Sequence, residues 1–517
     1  SHAFLFELPL WATFTGNLTL TAQVNPDLRW RPHNPEEFNY ANNTIIKTIH
    51  FDVVPTLHLV VADQPYTFNN QTYSSRVYDR WKAVDWISRA YPLSQVKTYF
   101  RTLPLVQAYR KLDVNNNWVL YNPSCSLLNL YLGYHHATIF GNPFVPKTAT
   151  FLGLVADDVG FMRGCAPLNG MLTSAGYSRV ASGPVGSGDW GWDFDGSYAD
   201  WYSGHEVGHA WNQRHVRGGP DYFEDGCGGE ANAVKHNTDG YISPTPDIFA
   251  PNAIFGFNTL HLAQGINPIV GPYWSDVMTY CDYQWISQTT YVALKNMFSS
   301  YLPYTAANRS CLLEAQEALA VFGELDPASG EVSMLPVFVI SSEAALTPPE
   351  PGSYAVILRG AGGEELGRYP FTPGGLDEGA APYDGSETEA AYISLLLPNI
   401  RDIASLELAG PGGVIYQVSA GLSLPAVQIT SPNGGEAIGD EPITVTWTAS
   451  DADGDPLNFN VEYSADNGQS WEPVALFLTD TQASIDPVNL PASDMGLFRV
   501  SVSDGIHTAA DISDWLF

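Results

Sequence analysis

Cations are scarce in this chain. Its 517 residues hold 55 Asp and Glu but only 23 Lys and Arg, for a formal net charge of −32. So acidic a surface repels phosphate backbones, which excludes nucleic acid as an expected partner. The shortage deepens from residue 324 onward, where there is no lysine and the only arginines are Arg359, Arg368, Arg401 and Arg499. That half reads as a solvated surface, with salt tolerance or calcium binding as the sharper alternatives.

Long apolar runs are also missing. None nears the roughly 18 residues of a membrane span, so no such span is expected. Cysteines are few (Cys125, Cys165, Cys227, Cys281 and Cys311), and their spacing is not that of a cysteine-based zinc site. An extracellular protein with one or two disulfides and an odd thiol fits this usage best. Glycosylation sequons at Asn17, Asn42, Asn70 and Asn308 agree with export. The chain opens on Ser1 with neither an initiator Met nor a signal peptide, a start read as processed or as chosen for expression.

What is present is the material of folded domains. Apolar residues make up 45% and aromatics 13%, too much for a disordered chain. With Gly 46 and Pro 37, turns are frequent, as in β-rich folds. The length implies three or four domains. Residues 1–54 read as strands, at Asn17 to Val24 and Thr44 to Val54, and suggest a small β-sandwich. Residues 55–322 have mixed α/β texture. Strands are expected at 56–62, 95–100, 151–156 and 177–182, and helices at 78–91, 126–134, 198–213 and 290–301. Residues 323–424 and 425–517 are punctuated by Pro and Gly and read as two further β-sandwiches.

The chemistry concentrates at His205-Glu206-Val207-Gly208-His209. On a helix, residues four apart share a face, so His205 and His209 can aim two imidazoles at one metal ion with Glu206 beside them. Zinc suits such ligands and keeps a position open for water. Glu206 is then placed to take the proton of that water and return it to a leaving amine. His215 lies too far round the helix to join unless the helix stops and the chain turns sharply. Asn212 is the best non-glycine residue for the positive φ such a turn needs.

The pattern His205-Glu206-x-x-His209-x-x-Asn212-x-x-His215 resembles the metzincin signature of zinc metallopeptidases, which usually has glycine where this chain has Asn212. Downstream, Ser275-Asp276-Val277-Met278-Thr279-Tyr280-Cys281 is similar to the Met-containing turn of that clan. The resemblance implies that His205, His209 and His215 hold zinc over Met278, and that Tyr280 ligates zinc at rest or assists the oxyanion. The stretch Asp276 to Ser287 also looks like secreted bacterial and archaeal metallopeptidases that carry Ig-like domains. By the same resemblance, the strand from Tyr177 to Gly183 is the edge to which substrate adds. The implied fold is multidomain. An α/β metzincin-like catalytic domain, a twisted mixed sheet plus active-site helix, is flanked by all-β Ig-like sandwich domains.

Weaker signals surround this core. A disulfide between Cys227 and Cys281 would pin the loop after His215, and Cys125 with Cys165 is the second pairing considered. The acidic run Asp221, Glu224, Asp225 and Glu230 reads as solvated, with basic substrate side chains or calcium as alternatives. Asp451-x-Asp453-Gly454-Asp455 resembles the start of a calcium loop, with Glu462 at its twelfth position but at the end of an expected strand. His135 and His136 read as incidental. Together these features predict a secreted zinc metalloendopeptidase acting on extracellular proteins or peptides. The alternatives are an adhesin or glycan-binding protein with a vestigial protease fold, and a narrow-specificity protease of mucin-like glycoproteins.

Overall fold

A computed structural model describes residues 8, 12–24, 43–112, 118–121, 124–138, 145–159, 164–167, 171–173, 176–187, 195–216, 240–260, 268–302, 316–326, 329–342, 346–347, 352–375, 391–439, 441–487 and 490–517. The chain is multidomain, mixing helices with several β-sheets, and divides into two compact units, Ser1–Pro55 and Thr56–Phe517.

In the first unit, β1 (Gly16–Gln23) and β2 (Thr44–Phe51) pair antiparallel from Gly16 opposite Phe51 to Gln23 opposite Thr44. Of the sandwich expected there, the described residues hold this one ladder. Most of β2 is exposed.

The second unit begins with a five-stranded mixed sheet. Its strands are β3 (Thr56–Asp63), β4 (Gln95–Thr102), β5 (Thr150–Ala156), β6 (Met171–Thr173) and β7 (Gly176–Val185), in spatial order β6-β7-β5-β3-β4. β3, β4, β5 and β7 run parallel, and β6 is antiparallel to β7. Parallel strands demand crossovers, and α1 (Val77–Ala90) supplies the one between β3 and β4. The pleat sorts β3 between two cores: Leu57, Leu59 and Val61 face one cluster, Val60 and Ala62 the other. Helices α1 and α3 (Ala199–Ala210) fill the first cluster. There Gly204 of α3 admits the Trp86 ring of α1, which a side chain at 204 would overlap.

Helix α2 (Cys125–Thr138) covers the other face of the sheet, and it is apolar almost all round. The reason is that it is covered twice. Its far side packs on the sheet built around Gln316–Leu325 and Ala391–Pro398, where Tyr134 meets Phe322 and Asn129 donates to the Tyr392 hydroxyl at 3.2 Å. A helix buried on both sides needs no polar face. The strand Gln316–Leu325 runs straight through positions 322 and 323. A neighbouring four-stranded sheet (Glu365–Phe371, Tyr354–Arg359, Ser405–Gly410, Gly413–Ser419) shares one apolar cluster with it. Farther on, a three-stranded and a four-stranded sheet share another cluster around Trp447, Phe459 and Phe498.

The double covering of α2 traps His135 and His136. Burial pushes the His135 imidazole down to about 3, with the charges of Arg101 and His136 adding to the effect. The folded protein thus binds this proton later than the unfolded chain does. Stability should therefore fall as pH drops from 6.5 toward 3, by at most about 1.4 kcal/mol per pH unit for this group. Denaturant midpoints measured across that range should decline less steeply in His135→Gln than in the parent. Equal slopes would rule the assignment out.

Candidate metal centre

α3 carries His205, Glu206 and His209, all buried. It stops at Ala210 in a pattern of specific hydrogen bonds. Asn212 N–H donates to the His209 carbonyl at 2.7 Å and Gln213 N–H to the Gly208 carbonyl at 3.0 Å. This is a Schellman ending, which requires a left-handed residue between them, and Asn212 has φ 62°. The sharp turn that His215 needs is therefore present. Arg179 of β7 completes the stop: its guanidinium donates to the Ala210 carbonyl at 2.6 Å and lies 4.0 Å from the Trp211 ring centre. A cation there also complements the negative end of the helix.

The turn brings three imidazoles together. Nε2 of His209 is 3.0 Å from Nε2 of both His205 and His215, and those two lie 3.1 Å apart. The outer nitrogens fix the tautomers. His205 Nδ1 lies 2.7 Å from the Val277 carbonyl and His209 Nδ1 2.7 Å from the Gln213 carbonyl. A carbonyl only accepts, so both Nδ1 atoms carry the proton, and in neutral rings both Nε2 atoms are bare lone pairs. Lone pairs facing each other at 3.0 Å repel unless a cation lies between them. The three histidines form a candidate metal-binding site, and the donor chemistry fits a divalent ion favouring imidazole.

The segment from Ser275 to Ser287 forms the floor. Met278 is fully buried, and a methyl at Gly208 would lie 2.6 Å from its sulfur, so this glycine lets the sulfur approach the α3 backbone. Val216 N–H donates to the Met278 carbonyl at 2.9 Å, tying the His215 arm to the same turn. Asp276, which sequence reasoning did not single out, organises the turn. Its carboxylate accepts from Met278 N–H at 2.8 Å, Ser287 N–H at 3.0 Å and the Thr290 hydroxyl at 2.7 Å. It thereby joins the floor to the start of α4 (Gln288–Tyr301). Tyr280 is 44 % exposed, with its ring centre 4.6 Å from that of His215 and 5.8 Å from that of His205.

Other expectations have mixed outcomes. β7 is no free edge: β5 pairs along one side, while β6 and a bridge from Cys165 to Ser182 occupy positions on the other. Cys125 and Cys165 form a disulfide. Cys281 is also disulfide-bonded, whereas Cys227, expected as its partner, lies outside the described residues, as do Asp221, Glu224, Asp225 and Glu230. A second group able to hold a cation contains Asp451 and Asp455, but its third member is Asp504, from a distant strand end. Asp453 instead accepts from Ser423 N–H at 2.8 Å, and Glu462 pairs with Arg499 at 2.5 Å. An all-oxygen set suits a hard cation rather than zinc.

Comparison with models of known families and with curated proteins gives no match. The site's own chemistry therefore carries the functional argument. Among the described residues, no helix is long and apolar enough to cross a membrane.

Proposed function

We propose that the chain is a secreted zinc-dependent endopeptidase with a metzincin-like catalytic domain at residues 55–322. The flanking β-rich segments (1–54, 323–424 and 425–517) would serve as Ig-like accessory modules. The observation that carries the reading is the trio of Nε2 atoms within 3.1 Å of one another, two with their outer nitrogens committed to carbonyls, on a helix that also carries the buried Glu206. His205, His209 and His215 would hold the metal. Bound zinc supplies Lewis acidity and lowers the pKa of a water to about 7.

The protein's own groups do the rest. The Glu206 carboxylate accepts a proton from the attacking water and passes it to the departing amine. The Tyr280 hydroxyl, exposed beside His215, donates a hydrogen bond to the oxyanion of the tetrahedral intermediate. Val277 and Gln213 carbonyls hold two of the imidazoles in the ligating tautomer. The Cys125–Cys165 disulfide is in keeping with an oxidising, extracellular setting.

Incubation of the purified protein with denatured casein and with a mucin, with and without a chelator, tests the reading. Chelator-sensitive cleavage of casein is the expected result. Cleavage of the mucin alone would point to a glycoprotein-specific protease. Failure on both would abandon the peptidase reading for a binding protein.

A further inference from the structure

Beside Glu206 the chain does something the histidine motif does not require. Residues 164–166 lie along β7, where Cys165 and Ser182 exchange backbone hydrogen bonds of 2.9 and 3.0 Å. One step along that antiparallel register brings Gly164 opposite Gly183. Two bare α-carbons thus face each other across the pair, and α3 lays Tyr202 and Glu206 against them. A methyl at Gly164 would overlap both the Glu206 carboxylate and the Tyr202 ring. One at Gly183 would lie 3.2 Å from Cδ1 of Tyr202 and 3.8 Å from Cγ of Glu206.

The segment is tied down from several directions. Gly164 N–H donates to the Tyr202 hydroxyl at 2.8 Å. The Cys165 carbonyl accepts from Asn129 Nδ2 at 2.9 Å, and Cys165 is cross-linked to Cys125 at the start of α2. Ser182 closes the loop of contacts by donating its hydroxyl to the Cys125 carbonyl at 3.0 Å.

We infer that Gly164, Gly183 and Tyr202 are positioning residues that set the orientation of the Glu206 carboxylate through a slot floored by paired glycines. The inference rests on the peptidase reading above. The physical need is clear. A glutamate side chain has three rotatable bonds, and a general base must reach its proton within hydrogen-bond distance. Tyr202 lies one helical turn before Glu206 on the same face, so its ring and the glycine pair wall the carboxylate on two sides. A methyl at Gly164 would displace the carboxylate from its present position, and the contacts that hold His205 and His209 run through Val277 and Gln213 instead.

The test is steady-state and single-turnover kinetics on a casein-derived peptide, with zinc content and thermal stability measured on the same samples. Gly164→Ala is expected to bind one zinc per chain with parental affinity and to lose about 10–100-fold in kcat at nearly unchanged KM. Tyr202→Phe adds no atom and removes the hydroxyl that accepts from Gly164 N–H. It is expected to lose about 2–10-fold in kcat, again at unchanged KM and zinc content. If Gly164→Ala does not fold, Tyr202→Phe decides.

Parental kcat in a folded variant, or a loss shared by zinc affinity and KM, would overturn the positioning role. The parent and Glu206→Gln are run alongside. A parent that shows no chelator-sensitive cleavage overturns the peptidase reading and this inference with it. A parent that cleaves while Gly164→Ala matches it overturns the inference alone.

Discussion

Glu206→Gln should retain one bound zinc and lose about 10²–10⁴ in kcat. Glutamine keeps the shape and the neutral hydrogen-bonding capacity of a protonated glutamate but cannot take up a proton. The side chain is 4 % exposed and packed against Gly164, so an isosteric change is the one least expected to disturb the fold. The imidazoles make their own contacts, through Val277 and Gln213, and should hold the metal as before. Metal analysis by mass spectrometry and kcat on a peptide substrate give the two readouts. A variant that cleaves at the parental rate would end the assignment of Glu206 as the base.

Zinc should stabilise the chelated protein by about 4 kcal/mol at a free concentration a thousand times its dissociation constant, and His209→Ala should abolish that response. His209 is the ligand to remove because its Nε2 is 3.0 Å from both partners. Its loss leaves two imidazoles and an open side. Without metal the same substitution should cost much less than an ordinary buried truncation, because it also removes a pair of facing lone pairs. Thermal melts of parent and variant, each with and without zinc, measure both effects. A zinc response in His209→Ala equal to that of the parent would place the bound ion elsewhere.

The site was legible in the sequence to an unusual degree because its geometry is local. Spacing along a helix places His205, Glu206 and His209 by the helical repeat alone. The need for a left-handed residue before His215 could be read from the count between histidines, and Asn212 adopts φ 62°. Met278 and Tyr280 stood out through their place in a recognisable stretch. Asp276, in the same stretch, was missed because a carboxylate that satisfies three donors inside a fold looks like any surface aspartate in sequence.

Other features had no local signal. Gly164 reads as one glycine among 46, and its role emerges only when Cys165 pairs with Ser182. That pairing also closes part of the strand edge expected to be free. A helix was expected at 126–134, but nothing in that stretch pointed to the second sheet that covers it. The Asp451–Asp455 motif suggested a cation loop, whereas Asp504 joins the cluster from about fifty residues away, since antiparallel pairing returns the chain to the same end of the sheet.

The division follows from how each kind of information is encoded. Helix and strand periodicity, the candidate metal-binding trio and the turn after α3 depend on residues within about a dozen positions of one another. The sequence alone determined these, along with the net acidity of the chain. What surrounds Glu206, what covers α2 and β7, and which carboxylates meet depend on chain segments brought together by sheet pairing and core packing. Only the tertiary structure decided those, because the free energy that selects them comes from burying distant apolar faces against each other, and no short stretch of residues carries it.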